Sequence, residues 1–231
     1  MIANRENRGQ FIIIAVMLTA VMIVSIGALM HNAITYYKHE PWEEYSTLIG
    51  DIEINSRKLV ELSLASYTNS LGPITIIETN LDKWEEDLAD VYPSSGINLA
   101  SSGAQMLSSS QTSAYAAIST AQANFALDIQ SIGLKGYKFS VLTSLTLSIR
   151  SSIAVDSNTT EVIAVVKSET GMPVTDLGKA NFKVENATNI TVSALYDPIN
   201  VLEYKIVHNG PVNAAVEVCD QRGICVLISQ T

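Results

Sequence analysis

Residues 137–150 read YKFSVLTSLTLSIR. Tyr137, Phe139, Val141, Thr143, Leu145, Leu147 and Ile149 alternate with Lys138, Ser140, Ser144, Thr146, Ser148 and Arg150, and Leu142 is the one exception. Successive side chains of a strand point to opposite faces, so a period of two over this length predicts a long, half-buried β-strand. Shorter strand candidates follow at Glu161–Ser168, Asn181–Glu185, Ile190–Leu195, Val201–His208, Ala214–Cys219 and Ile224–Ser229. Turn residues separate them, at Gly171-Met172-Pro173, Asp197-Pro198 and Asn209-Gly210-Pro211. Seven strands over residues 135–231 suit an immunoglobulin-like β-sandwich, with a partly open barrel as the competing closure.

Upstream of Gly136 the period is helical. Trp42, Tyr45, Ile49, Ile52, Leu59 and Leu62 step along one face, with Ser56 filling the gap. Ile77, Leu81, Trp84, Leu88 and Val91 form a second stripe; Tyr115, Ile118, Gln122, Phe125, Ile129 and Ile132 form a third. Leu71-Gly72-Pro73 and Tyr92-Pro93 end the first two. Three amphipathic helices predict an up-down helical bundle over residues 32–134. Within it Ser94–Ser113 is Ser-rich and uncharged, which reads as a flexible loop.

Furthest upstream lies Phe11–Met30, FIIIAVMLTAVMIVSIGALM, without a single charged residue. A helix of about 20 apolar residues crosses the roughly 30 Å hydrocarbon core of a bilayer. Residues 10–31 therefore read as a transmembrane or filament-core helix behind a basic leader, residues 1–9. Arg5 and Arg8 precede the helix, whereas Glu40, Glu43, Glu44, Asp51 and Glu53 follow it. The positive-inside rule then leaves the leader in the cytoplasm and the C-terminus outside. Tyr36, Tyr37 and Trp42 suit the interfacial belt, and Pro41 interrupts any continuous helix there. The run is too long for a secretory signal core, so an anchor is the better reading.

Two features accord with an exported chain. The two cysteines, Cys219 and Cys225, flank an Asp-Gln-Arg-Gly hairpin turn. That spacing allows a cross-hairpin disulfide, stable only in an oxidising compartment, or a pair of reduced buried thiols. Three N-glycosylation acceptor sequences stand at Asn158, Asn186 and Asn189.

No pattern of catalytic residues emerges. The net charge of -9 argues against nucleic acid, which needs clustered Lys and Arg. His31, His39 and His208 have no metal spacing, and two cysteines alone make no zinc site. Glu85, Glu86, Asp87 and Asp90 read as a solvated helix face opposite the apolar stripe, not a calcium loop. Gly171–Lys179, GMPVTDLGK, misses the phosphate-loop spacing, and Ala180 stands where Ser or Thr is required. The chain reads as a non-enzyme without a cofactor or metal.

The junction NRGQFIII, residues 7–14, resembles the class III signal peptides of archaeal type IV pilin-like surface proteins. The resemblance implies cleavage between Gly9 and Gln10 by a prepilin-type peptidase. It also implies a freed helix that packs against its own copies in a filament core, beneath a β-rich and often glycosylated C-terminal domain. Ala15, Ala20, Ser25, Gly27 and Ala28 are small enough for close helix approach.

The fold class is thus α+β: an N-terminal helix, a helical bundle and a β-sandwich. The leading functional reading is a structural subunit of an extracellular filament, processed at Gly9/Gln10. The alternatives are an uncleaved single-pass membrane-anchored surface protein or adhesin, with an envelope or glycan partner, and an accessory ectodomain of a secretion complex. Membrane lipid and self-association through the N-terminal helix are the partners these readings share. Location follows the reading: the cell membrane with the C-terminus outside, or an extracellular filament after processing.

Overall fold

The computed structural model describes residues 16–31, 42–70, 72–196 and 202–229. The chain divides between Gly50 and Asp51 into two compact units. Leader residues Gly9 and Gln10, and Phe11–Ala15 of the apolar stretch, lie outside the described residues, as do Tyr36, Tyr37, His39, Pro41 and the Asp197-Pro198 turn.

In the first unit, residues 16–31 form helix α1, and every one of its residues is exposed. Ser25 Oγ donates to Val21 O at 2.8 Å, so the hydroxyl is satisfied within the helix itself. No helix among the described residues is long and apolar enough to cross a membrane.

Helices α2 (Trp42–Ser70) and α3 (Ile76–Val91) come next, ending just before the breaks at Leu71-Gly72-Pro73 and Tyr92-Pro93. The α3 stripe is as the sequence predicts: Ile77, Leu81 and Leu88 are buried, although Val91 is exposed. The α2 stripe holds its expected phase through Ile52 and Ser56 and shifts after them. Ile52, Ser56, Val60, Ser63 and Leu64 are buried, and Leu62 is 64% exposed. Serine can sit inside because α3 brings donors to it. Trp84 Nε1 donates to Ser56 Oγ at 3.1 Å, and Asn80 Nδ2 donates to Ser63 Oγ at 2.9 Å.

The strands are β1 (Ile97–Ser113), β2 (Ala116–Ile129), β3 (Leu134–Ala154), β4 (Thr159–Ser168), β5 (Phe182–Val184), β6 (Thr188–Tyr196), β7 (Leu202–Asn209), β8 (Val216–Cys219) and β9 (Cys225–Ile228). They form two antiparallel sheets, ordered β1-β2-β3-β4-β7-β6 and β5-β8-β9. The class is α+β with a sandwich-like body. All seven strands expected beyond residue 135 are present, as β3 to β9.

Two expectations are corrected. The stretch expected as a third helix, Tyr115–Ile132, is mostly strand β2, and the bundle reduces to the α2–α3 pair. Its buried row is Ala117, Ser119, Ala121, Ala123, Phe125, Leu127 and Ile129, a strict period of two. Small residues fill most of that row, while Gln122 of the helical stripe is exposed. The segment expected as a flexible loop, Ser94–Ser113, is mostly strand β1. It pairs with β2 along its length, with register shifts at Ser102/Gln105, Leu107/Ser110 and Gln111/Ser113. Gly103 and Ser109 take left-handed φ of 62° and 48° at the first two shifts, as bulges require. The sheet therefore runs unbroken across residues 134–135, where Ile129 pairs with Leu134.

The core lies between the sheets. Tyr204 from β7 meets Phe182 from β5 with ring centroids 5.3 Å apart. Its hydroxyl donates to Val174 O at 2.6 Å, so the buried polar tip is satisfied. Phe125 and Phe139 face one another across β2 and β3 and stack at 4.8 Å.

Candidate functional site

The chemistry-bearing residues are scattered through the fold. His208 lies in β7 opposite Thr160 of β4, fully buried, and neither ring nitrogen has a hydrogen-bond partner among the described residues. Burial pushes its pKa below the ordinary histidine value. It is a core residue whose surroundings favour the neutral ring. His31 ends α1. Gly171–Lys179 leads into a three-residue 3-10 turn at Lys179–Asn181, so no helix of useful length starts there to hold a phosphate. Of the acidic run, Glu86, Asp87 and Asp90 are exposed, but Glu85 is half-buried and accepts from Ser101 N at 2.6 Å. That carboxylate secures the edge of β1.

Cys219 and Cys225 are directly paired across the β8–β9 hairpin and joined by a disulfide, with Cα atoms 4.0 Å apart. Glu217 carries a carboxylate close to both sulfurs. With the sulfurs bonded to each other, no thiolate is left to bind a metal.

The turn of this hairpin holds the most connected side chain, Arg222. Its guanidinium donates to Asp220 Oδ2 at 2.8 Å, Glu169 Oε2 at 3.0 Å, Thr143 Oγ1 at 3.1 Å and Ser144 O at 3.1 Å. Buried Asp220 also accepts the backbone N–H groups of Arg222 and Ile224. Gly223 adopts φ 82°, and its backbone passes so close to α2 that a Cβ there would lie 3.5 Å from Ala65 Cβ and Asn69 Nδ2. Sequence reading missed this network, because Arg222 looks like an ordinary turn residue until β3 and the β4–β5 connection are brought against it.

Strand edges are treated unequally. The outer edge of β9 is covered by hydroxyls from three elements: Cys225 N donates to Thr68 Oγ1 at 3.0 Å, Leu227 N donates to Ser109 Oγ at 3.0 Å, and Ser119 Oγ donates to Cys225 O at 2.7 Å. Ser109 N in turn donates to Ser119 Oγ at 2.9 Å. The β1 edge is bulged, held by Glu85, and tied through Gln111 Nε2 to Ser229 O at 2.9 Å. At the opposite edge of the large sheet stands β6, whose one strand neighbour among the described residues is β7.

All three glycosylation acceptors are exposed. Asn158 lies in the β3–β4 turn, where Asp156 Oδ1 accepts from Asn158 N and Thr159 N. Asn186 and Asn189 lie at the head of β6, both with left-handed φ, 55° and 52°. The surface clefts are small: one of about 300 Å³ between α3 and β1 is lined by Ile74, Ile77, Met106 and Leu107, at the lower limit of ligand-binding pockets.

No protein-family model, curated protein or solved structure matches this chain.

Proposed function

We propose that the protein is a structural subunit displayed on a cell surface, with α1 as its embedding element and the sandwich outward. The observation that carries this reading is α1 itself. Ten large apolar side chains along it, from Val16 to Met30, are 57% to 70% exposed. Burying a side chain of this kind contributes about 1.5–3 kcal/mol, so the helix has a strong drive to be covered. Lipid tails can cover it, and so can copies of itself packed through Ala20, Ser25, Gly27 and Ala28. Together with the Gly9/Gln10 junction, this supports a pilin-like filament subunit. An oxidised Cys219–Cys225 pair supports an extracytoplasmic body.

The strand order supports an immunoglobulin-like reading of the outward domain. β3-β4-β7-β6 facing β5-β8-β9 follows the constant-type order, four strands against three, with the β1–β2 hairpin added outside β3. Such a domain needs no catalytic chemistry to act as a spacer or as an adhesive surface toward an envelope or glycan partner.

The test is the mature N-terminus of protein recovered from sheared surface material. A chain beginning at Gln10 in a filament fraction supports the subunit. An intact Met1 leader, found only in the membrane fraction, favours the uncleaved anchor or secretion-complex ectodomain.

A further inference from the structure

Edge strands present unpaired backbone groups to any other strand, and folded proteins guard them with charge, proline, bulges or a covering element. The β9 and β1 edges of this body are guarded by side chains, as described above. β6 is not. Its sequence, TNITVSALY, holds neither charge nor proline. Beyond one register shift between Thr188 and Thr191, it pairs with β7 without interruption from Thr191 to Tyr196. Leu195 is 39% exposed and Tyr196 71% exposed on this strand. Six uncharged residues at a sheet edge, Thr191, Val192 and Tyr196 among them of high β-propensity, make a template for unwanted pairing.

The head of that strand carries the two closely spaced acceptor asparagines. Asn186 precedes β6, and Asn189 lies inside its bulge, where Asn189 and Ile190 together oppose His208. Asparagine is among the few residues that tolerate the left-handed φ found at both positions. Both side chains are exposed. The third acceptor, Asn158, lies in the turn between β3 and β4, two strands removed from β6 in the sheet order.

We propose that Asn186 and Asn189 carry N-linked oligosaccharides that close the free β6 edge against strand addition. This rests on the surface-display reading, since the sugars are added outside the cytoplasm. The donor is an oligosaccharide linked to a lipid phosphate. The side-chain amide nitrogen bonds to the anomeric carbon as the carbon–oxygen bond to phosphate breaks. The amide gives up one proton, and the lipid phosphate leaves with the bonding electrons. Nothing is oxidised or reduced. The bulky, hydrated product stands where an incoming strand would have to align with Thr191–Tyr196.

The full-length chain is produced in an exporting host that glycosylates Asn-x-Ser/Thr, and site occupancy is read by peptide mass spectrometry. Ser193, exposed and near the middle of β6, is replaced (Ser193→Cys) to report edge-to-edge contact between detergent-solubilised copies. With Asn186 and Asn189 intact, little dimer linked through the introduced thiols should form. Adding Asn186→Gln and Asn189→Gln should raise it severalfold, whereas adding Asn158→Gln should not. Bare Asn186 and Asn189 beside an occupied Asn158 overturn the proposal and leave export standing. If Asn158 is also bare and Cys219 and Cys225 react with alkylating agents, the surface-display reading falls as well. Occupied sites whose removal leaves the dimer fraction unchanged overturn the shielding role.

Discussion

Helix α1 and the sandwich-like body solve the burial problem in opposite ways. The body encloses its apolar rows between two sheets and meets buried polar groups with partners: Ser119 bridges β1, β2 and β9, and Tyr204 reaches Val174. Helix α1 encloses nothing and leaves every side chain exposed. One region carries its own solvent-excluded interior; the other needs an interior supplied from outside. A truncation of similar chemistry should therefore be severe in one region and silent in the other.

Tyr204→Ala tests the severe side. It deletes a fully buried ring packed at a tilt against Phe182 and should lower the unfolding free energy of the body by about 3–5 kcal/mol in urea titration. Ile23→Ala in α1 should change the same transition by less than about 0.5 kcal/mol, because Ile23 touches no core. Equal effects would erase the distinction. Next in size is the disulfide. Closing a loop between residues six apart in sequence should contribute about 2 kcal/mol, lost in a Cys219→Ala, Cys225→Ala chain. The native pair should resist alkylation until reductant is added.

Ser119→Ala sharpens the contrast at the level of one hydroxyl. It leaves Ser109 N and Cys225 O without their partner, and should cost about 1–2 kcal/mol despite removing a single atom. The smallest effect is a pH dependence. Burial holds His208 below its ordinary pKa of about 6.5, so the unfolded chain binds a proton that the folded chain refuses. The contribution of neutral His208 is complete above that ordinary value and is lost as pH falls below it toward the folded pKa. His208→Leu should flatten the stability profile in that window, and an unchanged slope would assign it to other groups.

Legibility in the sequence followed the size of the buried side chains. From Tyr137 onward the inward rows are Phe, Val, Leu and Ile between turn residues, and each strand could be read. In β2 the inward row is largely Ala117, Ser119, Ala121 and Ala123, which carry little hydropathy contrast. Ile118, Phe125, Ile129 and Ile132 happen to fall at helical spacing, and that accidental stripe outweighed the real alternation. In β1 the large buried residues, Ile97, Leu99 and Met106, are sparse and three bulges break the period, so serine content dominated. The α2 stripe was legible through Ser56 and lost its phase after it. Ser63 is inside because Asn80 arrives from α3, which no local pattern records. The hairpin cysteines and exposed acceptor asparagines were legible as short motifs. The Arg222 network was not, since its partners lie 53 and 79 residues away.

The hydroxyl cap on β9 has a kinetic meaning. Its three hydrogen bonds join residues 157, 118 and 106 positions apart. Contacts of such separation form late and slowly, because long stretches of chain must be ordered before they are rewarded. A nascent chain carrying Thr68, Ser109 and Ser119 but not yet Cys225 holds three waiting hydroxyls and an open seam. The β8–β9 hairpin therefore acts as a latch: it brings the last partners of the seam, which closes when the hairpin arrives.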